Sequence, residues 1–123
     1  MKFKVLNGLY SVCRLKKEDK IPDWINKSEF YSITQTNNEL SIVCYQENVP
    51  VSVKSEKDWK IITIDEKLDF SLIGIISRIS TLLAENKISI FVISTFDTDY
   101  ILIKQENFEK TIKLLKTIGN VKL

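Results

Sequence analysis

The alternation of apolar and polar positions predicts a strand-rich chain in which one pattern occurs twice. Residues 30–43 read FYSITQTNNELSIV and residues 90–103 read IFVISTFDTDYILI. Each segment has an apolar run, a short polar turn and a second apolar run, which is typical of a β-hairpin. Aligned at an offset of 60 residues, the copies pair similar side chains: Ile33 with Ile93, Asn37 with Asp97, Glu39 with Asp99 and Leu40 with Tyr100. The repetition predicts two small related units in tandem.

The second half of the chain predicts one complete βαββαβ unit. Residues 59–64 (WKIITI) predict a strand, and the apolar stripe over 71–86 predicts an amphipathic helix. Ser71 is a candidate N-cap for this helix and Asn86 a candidate C-terminal stop. The remaining predicted elements are strands 88–95 and 99–104, a helix over 105–118 and a short strand at 121–123. This order is that of a ferredoxin-like unit.

The first half predicts the same order with shorter helices. Strand 10–15 (YSVCRL) is followed by IPDWI, where Pro22 can begin a single helical turn. A hairpin spans residues 29–45, and residues 46–53 leave room for only a turn or two. Residues 54–58 (KSEKD) predict a charged surface connection between the halves.

These patterns predict an α+β fold. We expect two ferredoxin-like (βαββαβ) units in tandem, residues 1–58 with reduced helices and residues 59–123 complete, each an antiparallel sheet with helices on one face. The runs ISIFVIST and YILIK are almost continuously apolar, whereas a sheet with one solvated face alternates. The second face is therefore expected to be covered by the other half, by a second subunit, or by both.

Composition narrows the function by exclusion. Net charge is only +2, with 10 cations against 8 anions in residues 1–60 and 8 against 8 in residues 61–123, so no half predicts nucleic-acid binding. The chain has no histidine, which removes the usual base of hydrolases and the commonest metal ligand. Three scattered glycines cannot form a phosphate-binding loop. No stretch predicts a signal peptide or a membrane span, and we expect a cytosolic protein.

The two cysteines predict no chemistry. Cys13 and Cys44 lie within the apolar runs YSVCRL and LSIVCY, and a small buried core residue explains each better than a catalytic or metal-binding role. The cytosolic location argues against a disulfide between them. We therefore predict no catalytic residue, no metal and no cofactor.

The residues that carry these patterns resemble a known family. The segments YSVCRL (10–15), FYSITQTNNELSIVC (30–44), LDFSLIGIISRIS (68–80) and ISIFVISTFDTDYILI (88–103) resemble the small stand-alone tandem ACT proteins related to cytosolic arginine sensors. ACT domains are regulatory modules of amino-acid metabolism. The resemblance implies an amino acid bound between two adjacent ACT units, one offering the loop into its first helix and the other the start of its second strand.

This implied site falls on particular residues. The first turn of the predicted helix, comprising Ser71, Leu72, Ile73 and Gly74, would hold a ligand carboxylate on its free amides. Gly74 would let the ligand approach the backbone, although a close helix–strand contact would equally require a glycine. The neighbouring unit would offer Ser89 and Ile90 at the start of its second strand.

The hairpin turn supplies the acidic part of the predicted site. One carboxylate of Asp97 and Asp99 would receive the ligand's ammonium or cationic side chain, and the resemblance favours Asp99. The alternative is ordinary turn chemistry, because Asp is common in turns. A metal bound by this DTD segment would need further ligands, which the sequence does not locate. Ser94 and Thr95 could bond a ligand or be half-buried strand residues.

The sequence thus predicts a non-enzymatic sensor or regulatory protein that binds an amino acid. We expect a homodimer with the ligand between two second halves, one site per chain, and an unidentified protein that it regulates. The alternative is a protein–protein interaction module with a vestigial pocket.

Overall fold

The computed structural model of the protein describes residues 1–66 and 74–123. The strands among them are β1 (Lys2–Val5), β2 (Tyr10–Leu15), β3 (Ser32–Gln35), β4 (Leu40–Tyr45), β5 (Lys54–Ile64), β6 (Ile90–Ser94), β7 (Asp99–Lys104) and β8 (Asn120–Lys122). The α-helices are α1 (Ile75–Glu85) and α2 (Phe108–Leu115), and short 3-10 helices span Asp23–Lys27, Gln46–Asn48 and Gln105–Asn107. No helix within 1–66 or 74–123 is both long and apolar enough to cross a membrane.

The chain forms two compact units. The first unit is Asn7–Trp59, and the second unit is Lys60–Leu123 together with Met1–Leu6. Each has the predicted βαββαβ order, with 3-10 helices in the first unit where the second has α1 and α2. The fold is therefore α+β with two ferredoxin-like units, as the sequence predicts. Long strand β5 begins in the first unit and ends in the second.

The two sheets differ in one respect. In the first unit the strand order is β3-β4-β2-β5, and every pair is antiparallel. In the second unit the order is β6-β7-β5-β1-β8. Here β1 is antiparallel to β5 but parallel to β8, with Phe3 opposite Val121, so this sheet is mixed instead of purely antiparallel. The sequence pattern does not predict this pair because the two strands are more than a hundred residues apart.

The charged segment KSEKD is not a connection, and that prediction was wrong. Residues 54–58 form the start of β5, where Lys54 pairs with Arg14 and Glu56 with Val12 of β2. The side chains of Lys54 and Glu56 are exposed. Charged side chains protect the outer strand of a sheet against unwanted pairing, so a charged run is compatible with strand structure here.

Helix α1 confirms the predicted stripe and its end. Ile75, Ile79 and Leu83, spaced four apart, are its buried residues. Asn86 ends the helix, and its side-chain Nδ2 donates to the Leu82 carbonyl at 2.8 Å. Described structure begins again at Gly74, so the predicted N-cap Ser71 lies outside the described residues. The predicted second helix begins as the 3-10 turn Gln105–Asn107 before α2.

The cores of the two units differ greatly in size. The second unit buries a cluster of eleven residues: Phe3, Ile62, Ile64, Ile75, Ile79, Leu83, Ile88, Ile101, Ile103, Ile112 and Leu115. The first unit buries a smaller cluster: Cys13, Ile25, Leu40, Ile42 and Cys44. On the opposite face of β5 and β7, Ile61, Thr63 and Leu102 are also buried, which confirms that continuous apolar strands are covered on both faces.

Candidate functional site

The backbone shifts the alignment of the two hairpins by one residue. Ser94 pairs with Asp99 across β6 and β7, as Gln35 pairs with Leu40 across β3 and β4. Burial follows the same pattern along β4 and β7. The same turn hydrogen bond closes each hairpin, from Thr36 N–H to the Glu39 carbonyl at 2.9 Å and from Thr95 N–H to the Thr98 carbonyl at 2.8 Å. The copies are therefore offset by 59 residues, not 60.

This offset changes what Asp99 replaces. Asp99 corresponds to the buried Leu40 of the first unit, not to the turn residue Glu39. The tripeptide QEN, which follows β4 at 46–48 and β7 at 105–107, carries the same offset and would have revealed it from sequence. A carboxylate thus occupies a position that is apolar in the other copy.

Asp99 is buried within a small polar cluster. Its residue is 8% exposed, and Ser94 Oγ donates a hydrogen bond to the carboxylate Oδ1. The Asp99 carbonyl accepts a hydrogen bond from Thr63 Oγ1 at 3.0 Å. Next to it, Thr98 Oγ1 donates to the Ile64 carbonyl at 3.0 Å. The sequence analysis missed Thr63 and Thr98, although Thr63 is the only uncharged polar residue in the run WKIITI.

The cluster lies where β5 ends. Ile64 is the last residue of that strand, and Thr98 bonds its carbonyl from the hairpin turn. Chain continuity then carries residues 65–74 from this end of the sheet to α1. The segment that the family resemblance assigns to the ligand thus starts beside Asp99, and Ser71, Leu72 and Ile73 within it lie outside the described residues.

Gly74 has a conformational role. It is the residue immediately before α1, not a residue of the first turn, and its φ is +82°. A Cβ at this position would meet no described atom within 4 Å, so nothing in the described chain supports a close helix–strand contact. Glycine adopts a positive φ at no steric cost, which explains its presence. The exposed backbone here is open to a ligand.

The other predicted site residues are less close to the carboxylate's chemistry. Thr95 Oγ1 bonds both the N–H and the carbonyl of Thr98, which commits it to the turn. Asp97 is exposed in that turn. Ser89 is exposed just before β6, and half-buried Ile90 pairs with Ile103. Of the predicted residues, the described structure joins Ser94 and Asp99 directly.

A buried carboxylate favours a cationic partner. Burial of an ionised group is costly unless hydrogen bonds and an opposite charge compensate it. Among the described residues, the hydroxyl of Ser94 is the side-chain hydrogen-bond donor to the Asp99 carboxylate, and it carries no charge. The cluster therefore has the chemistry to receive an ammonium or guanidinium group.

The cysteines lie in a chemically quiet place. Cys13 and Cys44 are free thiols, buried in the core of the first unit, as the sequence predicts. A hydrogen bond with Cys13 and burial both raise the pKa of the Cys44 thiol, which keeps it protonated and unreactive. Within the described ranges, no group of three acidic, histidine or cysteine side chains could hold a metal ion.

Comparison with protein families gives two matches. Residues 54–117 match the family model described as an ACT domain. Residues 8–52 match a second model, described as an N-terminal domain. No curated protein gives a significant match to the chain.

Solved structures resemble the whole chain. Protein Atu0741 from Agobacterium tumefaciens has 38% sequence identity, a TM-score of 0.92, and coverage of 99% of this chain and 91% of that one. A chain of the aspartokinase alpha and beta subunits has 13% identity and a TM-score of 0.69, covering 95% and 96%. The ligand-free regulatory subunit of aspartate kinase from Thermus thermophilus has 8% identity and a TM-score of 0.59, covering 89% and 92%. At such low identity the last two show a shared fold.

Proposed function

The chain belongs to the ACT-domain family, and on that premise we propose that it is a non-enzymatic regulatory protein that senses an amino acid. ACT domains and the aspartate kinase regulatory subunit that shares this fold support a regulatory role with a small-molecule ligand. The second unit carries the site in this proposal, because it alone has the full helix α1 and the buried carboxylate.

The observation that carries the proposal is Asp99 in the position of Leu40. An apolar residue at this position stabilises the first unit, so a carboxylate there costs stability unless it is used. In our proposal one carboxylate oxygen accepts the hydrogen bond from Ser94 and the other receives the ligand's ammonium. A charge-assisted hydrogen bond of this kind is roughly twice as strong as a neutral one.

The ligand's carboxylate would bind at the start of α1. Backbone amides ahead of a helix have no partner within it and attract anions. The open backbone at Gly74 and the segment 71–73 before it would provide these amides in our proposal. A second copy of the chain would complete the site with the backbone of Ser89 and Ile90, as the family resemblance implies.

Calorimetric titration of the whole protein with each of the twenty amino acids tests the function. We expect saturable heat with one ligand per chain, because only the second unit has the carboxylate and the full helix. Two equivalent sites per chain would show that the first unit binds as well and would contradict the role of Asp99. Absence of heat and of any thermal shift with all twenty would refute the sensor and favour the interaction module.

We propose that the protein is a homodimer joined through β6. Among the described strands β6 pairs only with β7, so one side of it is available for pairing. Phe91 on this strand is 37% exposed, and Phe96 at the adjacent turn is fully exposed. Unpaired strand edges with apolar side chains are costly to leave in water.

Sedimentation equilibrium at tens of micromolar is expected to give twice the 14.3 kDa chain mass. The interface should bury at least about 1,000 Å² in total. Replacing Phe91 with lysine should yield monomers, because a charge on an edge strand opposes pairing. The matched variant Phe96→Lys keeps β6 unchanged and should remain a dimer if strand pairing is responsible. A monomeric wild-type protein would remove the inter-subunit site.

A further inference from the structure

An open cavity lies in the first unit, at the tripeptide QEN that follows β4. Its volume is about 580 Å³, and its lining residues are Asn7, Gly8, Leu9, Tyr45, Gln46 and Glu47. All six belong to the first unit, whereas the Asp99 cluster belongs to the second. A cavity of this size is in the range that accommodates small-molecule ligands.

The aromatic wall of this cavity is held in place. The Tyr45 ring lies 4.9 Å from the Tyr10 ring, centroid to centroid, and its hydroxyl donates to Glu29 Oε2 at 3.3 Å. Gly8 has a φ of +86°, and a Cβ there would lie 3.1 Å from Tyr45 Cε1. Glycine therefore permits both the turn and the close approach of backbone to ring. One face region of the ring borders the cavity as a result.

The polar rim is fixed as well. Gln46 N–H donates to the Leu9 carbonyl at 3.0 Å, which ties the QEN turn to the lining segment before β2. The Gln46 side chain is bound at both ends by Asp58, with Nε2 donating to Oδ1 at 3.0 Å and Oε1 accepting from the Asp58 N–H at 2.6 Å. Glu47 is exposed at the same turn. A fixed rim reduces the entropy lost on binding.

The second copy of QEN shows what such a place accommodates. A cavity of about 520 Å³ is lined there by Lys60, Gln105, Glu106, Phe108 and Glu109. Within it, Lys60 Nζ lies 5.2 Å from the centroid of the Phe108 ring. The chain thus places its own cation over an aromatic ring beside two carboxylates. At the first copy the ring and a carboxylate are present, but none of the six lining residues is a cation.

We propose that the cavity at Gly8, Tyr45 and Glu47 is a second ligand site, which binds a small organic cation. The cationic head lies against the Tyr45 ring, and Glu47 balances its charge. Cations bind aromatic faces through the ring quadrupole, and a mostly apolar cavity suits an alkylated ammonium group better than a metal ion. This site would act separately from the amino-acid site of the second unit.

The test compares a cation with its uncharged counterpart. Choline and 3,3-dimethylbutan-1-ol have the same shape, and only choline is charged. Each is titrated into the 15N-labelled full chain at constant ionic strength, and amide chemical shifts are followed. We expect saturable shifts at Gly8 and Gln46, with choline binding about three- to thirtyfold tighter than the alcohol. Equal affinity of the two compounds would overturn the proposal.

Variants locate the site. Glu47→Gln should weaken choline binding about two- to fivefold, as for an exposed charge pair. Its matched control is Glu106→Gln, which makes the same change at the second QEN, and this variant should bind choline unchanged. Equal weakening by both variants would show a nonspecific charge effect and would contradict the proposal.

The ring is tested by a pair of substitutions at one position. Tyr45→Phe keeps the aromatic face and should retain choline affinity within about twofold, whereas Tyr45→Leu should lose at least about threefold. The amide spectrum shows directly whether the leucine variant folds. If it does not, the phenylalanine variant decides the question, because loss of binding with the ring intact would exclude a cation–π contact. Choline shifts confined to other parts of the chain would also refute the site.

Discussion

Replacing Asp99 with asparagine is expected to weaken amino-acid binding about ten- to a hundredfold. A hydrogen bond to a charged group contributes about 1.5–3 kcal/mol, and this range converts to that loss of affinity. Asparagine keeps the size of the side chain and a carbonyl oxygen for Ser94 Oγ but removes the charge that attracts an ammonium. Calorimetry with the amino acid that binds the wild-type protein measures the change.

The matched control for this substitution is Asp97→Asn. Asp97 is exposed in the same turn, two residues away, and its replacement should change affinity less than about twofold because solvent screens its charge. Equal effects of the two substitutions would show that the net charge of the turn attracts the ligand. An unchanged affinity of the Asp99 variant would exclude the proposed role of this carboxylate.

The leucine variant of Asp99 separates binding from stability. Asp99→Leu installs the residue that the first unit has at this position, and it should abolish binding while leaving stability unchanged or raised by up to about 2 kcal/mol. The sequence alone suggested a solvated turn carboxylate with little influence on stability, but Asp99 is buried. Urea unfolding measures the effect. A marked loss of stability would indicate that the carboxylate has a structural role instead.

Replacing Gly119 with alanine is expected to destabilise the second unit by about 1–3 kcal/mol, the range for overpacking a filled space. A Cβ at this position would lie 2.3 Å from the carbonyl oxygen of Met1 and 3.1 Å from Phe3 Cε2. The first of these atoms is backbone, so strand β1 has to move away. The movement would also disrupt the bond from Asn120 N–H to the Met1 carbonyl, now 2.8 Å long.

Chemical unfolding of the Gly119 variant tests the close approach of the two ends of the chain. The midpoint should fall with an unchanged slope, and the melting temperature should fall by several degrees. The control Asn120→Ala changes an exposed side chain next to it, keeps the backbone bond, and should stay within about 0.5 kcal/mol of wild type. Equal stability of the Gly119 variant and wild type would show that β1 does not approach β8 as described.

Local patterns determined much of this fold. The apolar stripe of α1 and its end at Asn86 follow from helical periodicity and a stop residue, and both hairpins follow from paired apolar runs around polar turns. The buried cysteines follow from their apolar neighbours. These features depend on residues close together in sequence, so the sequence suffices to predict them.

Tertiary pairing decided the features that matter most for the site. A charged run such as KSEKD reads as a loop until β2 pairs with it, and Gly119 reads as a helix stop until Met1 approaches it. Strand register moved Asp99 from the turn to the position of Leu40 and buried it, because a shift of one residue reverses which face a side chain occupies. Register is set by hydrogen bonds between distant strands, and only the folded chain contains them.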